Sequence, residues 1–527
     1  MLAKLLDKLG NWNPQLFREI KGRLTPRKAA IATFLSLIAQ GILVFCFWTT
    51  LPILGATGRE YNRYCNEYKY ITEKSTEACQ QINWELWWHD IFCFLSWGFL
   101  IILVLAGIYM LVADVAKEKR LGTLNFINLS PQSSQKILLG KLLGVPILIY
   151  LVIAVAIPLH LWSAYQANAA SELAIWYGLL VGISSLFYTA SLVFAFLGGS
   201  QAWLASILGA IFLLPIAHVV TFLTQGTNLE IDSLKWFFFP ELGDAVLVAY
   251  GLLLYRCIFR SYVFWEIANR LFRNPGGTIL SKKQSYLWAA ELQIFVFGFC
   301  WSLMSASYKY DFQPAVYFVC IFNLILFLLL IGCLSPHRQA LQDWARYKHQ
   351  QRANANSAKA KKSGNSLISD LIWGEKSPAL LAIGINLAIS AAIWLPWIFL
   401  SRQDADMKAQ SAMGLIMTLS LILIYAAIAG ITLLRKTKKR ALWTVIILGS
   451  LLFLLPAAFL LVSPNPETSP FLWLFSPLAF AAVEYISLTT ICVSFLAHLS
   501  IFGLLSLQLT RKLKKAGESA SKSLMSS

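Results

Sequence analysis

The sequence predicts an all-α polytopic membrane protein of about twelve transmembrane helices, arranged as two parallel six-helix repeats, each preceded by an interfacial amphipathic helix. Three observations predict it. The 527 residues are 57% hydrophobic and only 13% charged, against roughly 25% charged in soluble domains, so there is too little charge to cover a soluble protein of this size. Apolar runs of about 18 residues or more, long enough to cross a bilayer, recur along the whole chain. The basic residues fall on alternate sides of those runs. This composition disfavours a secreted enzyme, a cytosolic enzyme and a disordered scaffold; mean hydropathy is +0.62.

The runs lie at about 29–54, 91–113, 142–163, 173–197, 202–224, 242–258, 287–305, 315–334, 378–400, 411–434, 441–463 and 478–510. The sixth is the weakest, being short with Asp244 near its edge. The last is too long for one perpendicular crossing. A charged stretch precedes the first run and no small-residue cleavage site stands out after it, which argues against a signal peptide.

Lys and Arg set the orientation. With the N-terminus inside and twelve alternating crossings, 36 of the 44 basic residues fall on the inner side. One span more or fewer would invert everything after it. The expectation is therefore a multi-pass protein of a plasma membrane, the inner membrane of a bacterium, with both termini cytoplasmic. The net charge of +18 is then explained by the bilayer, and no nucleic-acid partner is implied.

Nine cysteines are scattered without a C-x-x-C pair, so neither a metal site nor redox chemistry is expected. Only Cys65 and Cys79 share an outside loop. They are either two free thiols or a disulfide, which on the chain-entropy account would contribute roughly 3 kcal/mol.

Three echoes recur in the same order in both halves. Leu16-Phe17-Arg18, followed by Gly22, Leu24, Arg27 and Lys28, matches Leu271-Phe272-Arg273, followed by Gly277, Ile279, Lys282 and Lys283. Ile207-Leu208-Gly209 with Phe212-Leu213-Leu214-Pro215 matches Ile447-Leu448-Gly449 with Phe453-Leu454-Leu455-Pro456. Trp236, Phe238 and Pro240 match Trp473, Phe475 and Pro477. The first echo reads as a basic helix at the cytoplasmic interface, and the third as a short re-entrant hairpin, because it is too apolar for a solvated loop. The expected organisation is a first six-span unit at 1–260 (interfacial helix 1–28, cytoplasmic segment 114–141), a second at 261–511 (interfacial helix 261–286, cytoplasmic loop 335–377), and a basic cytoplasmic tail at 512–527. Residues 346–365, rich in Lys, Ala and Asn, read as a flexible linker.

Between the second and third spans the chain reads Glu118-Lys119-Arg120-Leu121-Gly122-Thr123-Leu124, then Ser130-Pro131, then Gly140-Lys141. This is a charged exit from one span, a glycine, a short apolar helical stretch, and a break at Ser130, which Pro131 biases away from helix. The segment resembles the permease subunits of ATP-binding-cassette transporters of the type 2 exporter kind. In that family an acidic-Lys/Arg-x-x-Gly-Thr-Leu stretch, a Ser/Thr-Pro and a Gly-Lys entry to the next span form a coupling helix that docks on the ATPase. The resemblance implies that Glu118, Lys119, Gly122, Thr123, Leu124, Ser130 and Pro131 couple to a separate ATPase subunit, a dimer, which binds the ATP. In the second half Glu375 and Lys376, followed by Ser377 and Pro378, are the corresponding candidate coupling residues, but no Gly-Thr-Leu lies between the two pairs.

No G-x-x-x-x-G-K-[ST] occurs, so the chain has no phosphate-cradling loop of that kind, and it is expected neither to be an enzyme nor to hold a cofactor. Ionisable residues at membrane depth are costly and default to functional candidates: His160, His218, Glu291, Glu484 and His498. Of these, His218 and Glu484 are the candidate cavity residues, since both lie near the repeated proline segments. Trp84, Trp87 and Trp88 read as an interfacial aromatic belt. The leading expectation is the membrane subunit of an exporter. The alternative is a polytopic glycosyl- or lipid-transferase using the outside carboxylates Glu85, Asp90, Asp404 and Asp406.

Overall fold

The computed structural model describes residues 10–54, 57–58, 62–70, 77–225, 235–239, 246–305, 309–354, 364–462 and 469–525. The chain is a helical, multi-pass membrane protein: among the described residues, eleven helices are long and apolar enough to cross a bilayer. It forms two compact units, Met1–Asn228 with Ala245–Pro275, and Leu229–Asp244 with Gly276–Ser527.

The first unit opens with α1 (Pro14–Arg23), whose N-cap Asn13 accepts from the Leu16 N–H. The spanning helix α2 (Pro26–Thr49) follows. A small antiparallel sheet comes next, of β1 (Thr57–Gly58), β2 (Cys65–Tyr70) and β3 (Glu77–Ile82) in the order β1-β3-β2. Composition gave no sign of this sheet, which is stitched across β2 and β3 by a Cys65–Cys79 disulfide with Cα atoms 5.8 Å apart. Helix α3 (Trp84–Leu121) has 38 residues. At 1.5 Å per residue it is about 57 Å long, so it projects well beyond the hydrocarbon. The short α4 (Thr123–Asn128) leads to α5 (Ser134–Gly144), then α6 (Ile147–Gln166), α7 (Ala170–Phe196), α8 (Ala202–Gln225) and α9 (Val246–Arg273).

The core of this unit is a seam of Trp87, Ile91, Leu95, Phe99 and Leu103 on α3 against Ile149, Ile153 and Ala156 on α6. Small residues set the closest crossings, as expected where lipid gives helices no hydrophobic reason to associate. A Cβ on Gly107 would lie 2.2 Å from the edge of the Tyr188 ring, whose hydroxyl donates to the Leu103 carbonyl at 2.9 Å. Helix α9 runs unbroken to Arg273, so residues 261–273, expected to begin a separate interfacial helix, instead extend the sixth span. The helical register carries through because no Pro or Gly lies between Leu252 and Arg273.

The second unit comprises α10 (Lys282–Cys300), a 3₁₀ turn at Ser302–Ser305, α11 (Lys309–Leu334), α12 (Arg338–Asn354), α13 (Gly364–Trp373), α14 (Leu380–Leu400) and α15 (Ala405–Leu433). Then come α16 (Arg440–Gly449), a π-helical stretch at Ser450–Leu454, α17 (Leu455–Val462), α18 (Pro470–Trp473), α19 (Ala479–Ala482), a 3₁₀ turn at Val483–Tyr485 and α20 (Leu488–Met525). Helix α10 occupies the expected seventh crossing but is not among the eleven. Lys282, Lys283, Gln284, Glu291 and Gln293 together make it too polar. Gln293, fully buried, donates to Asn323 at 2.7 Å and accepts from Trp394 at 2.6 Å, while Ser390 donates to the same Asn323 oxygen at 2.6 Å. Polar side chains here join α10, α11 and α14 from within.

Around α18 and α19 the backbone is irregular and its side chains are buried, with Trp473, Leu474, Ala479 and Val483 packed on Met417, Leu421 and Ile424 of α15. The overlong last run is thereby divided: the buried irregular segment precedes α20, which begins only at Leu488. The expected tail at 512–527 instead continues α20 to Met525, and the expected linker at 346–365 is helical through Asn354; residues 355–363 lie outside the described residues. Trp236–Phe239, expected within the first half, belongs to the second unit. The Phe237 N–H donates to the Gly298 carbonyl at 2.8 Å and the Trp236 indole to the Phe295 carbonyl at 3.1 Å. A Cβ on Gly298 would lie 2.3 Å from the Trp236 nitrogen, so only glycine admits the indole.

Candidate functional site

The candidate coupling segment is built on the end of α3. Lys119 extends its ammonium to the carbonyls of Ala195 and Phe196, both at 3.2 Å, at the C-terminus of α7. A cation there complements the partial negative charge of the helix end. Gly122 caps α3 with φ 72°, a left-handed conformation, and a Cβ there would meet nothing within 4 Å; the glycine is required by backbone angle and not by crowding. The Thr123 hydroxyl donates to the Glu118 carbonyl at 3.3 Å, and α4 begins. Leu124 is half-buried and Ile127 buried, while Leu121, Phe126 and Leu129 are exposed, the last two at 80% and 85%. Ser130, just before Pro131, donates its N–H to the Ile127 carbonyl at 3.1 Å. The Ser133 hydroxyl then caps α5.

Behind this turn lies a closed ionic cluster. Lys141 on α5 is fully buried, with its Nζ 2.6 Å from Glu118 Oε2, 2.7 Å from Asp114 Oδ2 and 3.8 Å from Glu19 Oε1. Arg18 reaches Glu118 at 3.0 Å and Glu19 at 3.4 Å, and Arg23 pairs with Glu19 at 3.1 Å and with Asp114. Three carboxylates thus face three cations from α1, α3 and α5. Buried charge is tolerated only when paired and hydrogen-bonded in this way. Helix α1 reaches the cluster because Gly140 and Gly144 leave a groove: a Cβ at Gly140 would lie 2.7 Å from the Leu16 backbone nitrogen, and one at Gly144 2.6 Å from Glu19 Cβ. The three carboxylates come within 4.8 Å of one another, close enough to ligate a metal. The Lys141 ammonium sits among them at hydrogen-bond distance from two, so the cation they hold is the protein's own.

The matching end of the second unit differs. Lys282, the first residue of α10, is also fully buried, but its Nζ donates to the Leu371 carbonyl at 2.6 Å, the Ser377 hydroxyl at 2.6 Å and the Pro378 carbonyl at 3.1 Å. Three donors meet three neutral acceptors. Glu375 and Lys376 are exposed on the turn that follows α13.

The other candidates are dispersed. His218 is exposed on α8. Glu484 is half-buried and accepts from Gln313. His160 and His498 are buried, each beside a serine: Ser96 at 2.9 Å and Ser420 at 2.8 Å. Of the outside carboxylates, Asp90 is held by Arg63 at 3.1 Å and the Tyr64 hydroxyl at 2.7 Å. Burial first, and then that bond, push the Tyr64 phenol up to about 12. Glu85 accepts from Asn168 at 3.0 Å, and Asp404 and Asp406 are exposed at the start of α15. Asp90 and Glu85 thus hold loops in place, and Asp404 and Asp406 sit on a different unit. Glu19, Arg23 and Asp114 were missed by sequence reasoning. The one available signal was the Gly140-x-x-x-Gly144 spacing, which marks a helix-packing face.

Together the fold and this cluster define a polytopic membrane protein with a braced, apolar-tipped turn at the basic end of its first unit. Compared with known proteins, the chain matches no family model, no curated protein and no solved structure.

Proposed function

We propose that the chain is the membrane-spanning subunit of an ATP-binding-cassette exporter in a bacterial inner membrane, driven by a separate ATPase that docks on α4. The carrying observation is the contrast within α3–α5: Phe126 and Leu129 point away from the unit at 80% and 85% exposure, on a turn whose base is locked by the Lys141 cluster. Exposed apolar side chains outside the spanning segments mark a contact surface. The bracing makes the turn a lever, because a push on α4 is transmitted to α1, α3 and α5 together and not absorbed by a hinge. In this reading the partner hydrolyses the ATP, which agrees with the lack of a G-x-x-x-x-G-K-[ST] loop in this sequence. The tandem repeat belongs to this reading as well: two six-span units in one chain would supply the translocation path.

The test is affinity purification in mild detergent, comparing the natural sequence with Phe126→Asp/Leu129→Asp. Both side chains are exposed, so the substitutions should leave folding intact. The expected result is a Walker-motif ATPase that accompanies the natural chain and is lost from the variant. An ATPase retained equally by both, or none with either, contradicts the proposal.

A further inference from the structure

At the basic end of the second unit, α12, α13, the start of α14 and the last part of α20 enclose a cavity of about 670 Å³, within the range of small-molecule sites. Its walls divide by chemistry. Leu371, Leu381, Leu509 and Leu513 form an apolar side. The remainder is rich in donors: the Trp344 indole, the Ser506 hydroxyl, His349, and the ammonium groups of Lys348 and Lys514. Trp344 Nε1 and Ser506 Oγ are shielded from solvent, with no hydrogen-bond partner among the described residues. An indole N–H can only donate, and leaving it unpaired in a buried place is costly. Lys348 is ion-paired with Asp370 and bonded to Gln351 at 3.1 Å. Lys514 is exposed at the mouth, close along α20 to Arg511, Lys512 and Lys515.

The cavity also sits at a defined depth. Leu380 and Leu381 are the first residues of the spanning helix α14, and the segment 506–514 is where the apolar stretch of α20 gives way to its basic end. A ligand there would meet hydrocarbon on one side and cations on the other. We propose that this cavity binds an anionic phospholipid drawn from the leaflet on the basic side of the bilayer. Headgroup oxygens accept from Trp344 Nε1 and Lys514, Ser506 supplies a second polar contact, and an acyl chain lies along Leu371, Leu381 and Leu509. The lipid satisfies the two buried polar atoms that the protein leaves unmatched, and it ties α12 and α13 to the spanning helices. This inference needs the chain to be a membrane protein but does not depend on an ATPase partner.

The test uses the full chain, stripped of lipid in detergent and titrated by native mass spectrometry with dioleoylphosphatidylglycerol or dioleoylphosphatidylcholine. The expected result is a first phosphatidylglycerol bound about ten-fold more tightly than phosphatidylcholine, the equivalent of 1.4 kcal/mol. Trp344→Phe with Lys514→Gln should erase that preference, and Leu381→Trp, which fills the apolar side, should weaken phosphatidylglycerol while both cations remain. If the double variant fails to fold, Lys514→Gln alone, at an exposed position, carries the test. Equal affinity for the two lipids, or phosphatidylglycerol binding unchanged in every variant, would mean ordinary annular lipid and overturn the proposal. So would full displacement by millimolar inorganic phosphate, which would assign the donors to a free anion.

Discussion

Lys141 in the first unit and Lys282 in the second are both fully buried ammonium groups near the basic ends of their units, yet their surroundings are opposite. Lys141 is answered by full negative charges on two other helices, and those carboxylates in turn recruit Arg18 and Arg23. Lys282 is answered by two carbonyls and a hydroxyl from the single stretch 371–378. The first arrangement is a multi-helix brace, with an apolar tip beside it on α4. The second is a local clasp that closes α13 onto the start of α10. The difference teaches that the two ends are built unlike one another: one joins three helices through full charges, the other holds the 338–378 insertion against its own helices through neutral bonds, and only the first suits the force transmission proposed above.

Removing each lysine is the sharpest way to break this comparison. Lys141→Met leaves one buried and two partly buried carboxylates with one cation fewer and should cost about 3–5 kcal/mol. Lys282→Met removes an ammonium whose direct hydrogen-bond partners are all neutral and should cost about 1–3 kcal/mol. Thermal unfolding of the two variants in one detergent measures the gap; equal losses would mean the ionic brace is no stronger than the clasp.

Much of this could be read before any coordinates, and the remainder had physical reasons to stay hidden. Hydropathy places the spans because backbone in lipid must be helical over a bilayer's thickness. The turn at Gly122 and the break before Pro131 follow from local backbone preference, which needs no distant partner. The shared loop of Cys65 and Cys79 could be seen, but not their bond or the sheet around it. The Lys141 cluster was out of reach because Glu19 is brought to it by a helix packing across Gly140 and Gly144, a tertiary contact that residue type alone does not specify. The same is true of Gln293 and Asn323: each looks like an isolated polar residue in an apolar run until the helices meet. The aromatic segment at Trp236 reads as apolar in sequence, but its attachment to Gly298 depends on a match of shape. His218 and Glu484 were chosen for nearness to proline segments; the structure exposes His218 on α8 and leaves Glu484 half-buried, accepting from Gln313.

The brace itself can be pried open without touching a charge. Gly140→Val places side-chain atoms where the Leu16 backbone now lies and should cost about 1–3 kcal/mol by overpacking, with α1 becoming open to proteolysis near Arg18 and Arg23. No corresponding loss is expected from Gly22→Val, where nothing lies within 4 Å; similar proteolysis in both variants would contradict the groove. A smaller effect is expected at the cap. Gly122→Ala forces a left-handed alanine, at about 1–2 kcal/mol, and should weaken ATPase retention more than it lowers the unfolding temperature, since α4 is displaced but the core is not. The smallest effect belongs to the buried amide network of the second unit. Trp394→Phe removes one bond to Gln293 and should cost about 0.6 kcal/mol, the average for such bonds in a membrane. A loss several times larger would show that the network, and not packing, holds α10 in place.

The central claim is that α4 of the first unit is the surface on which an ATPase sits. Its most direct test is a photo-crosslinking amino acid placed at Leu129 in living cells, with the same residue at His218, exposed on the spanning helix α8, as the control. The account predicts an adduct at position 129 to a protein carrying a Walker phosphate-binding loop, and none at 218. An adduct to lipid alone at both positions would show that the apolar tip of α4 rests in the membrane, and would contradict the account.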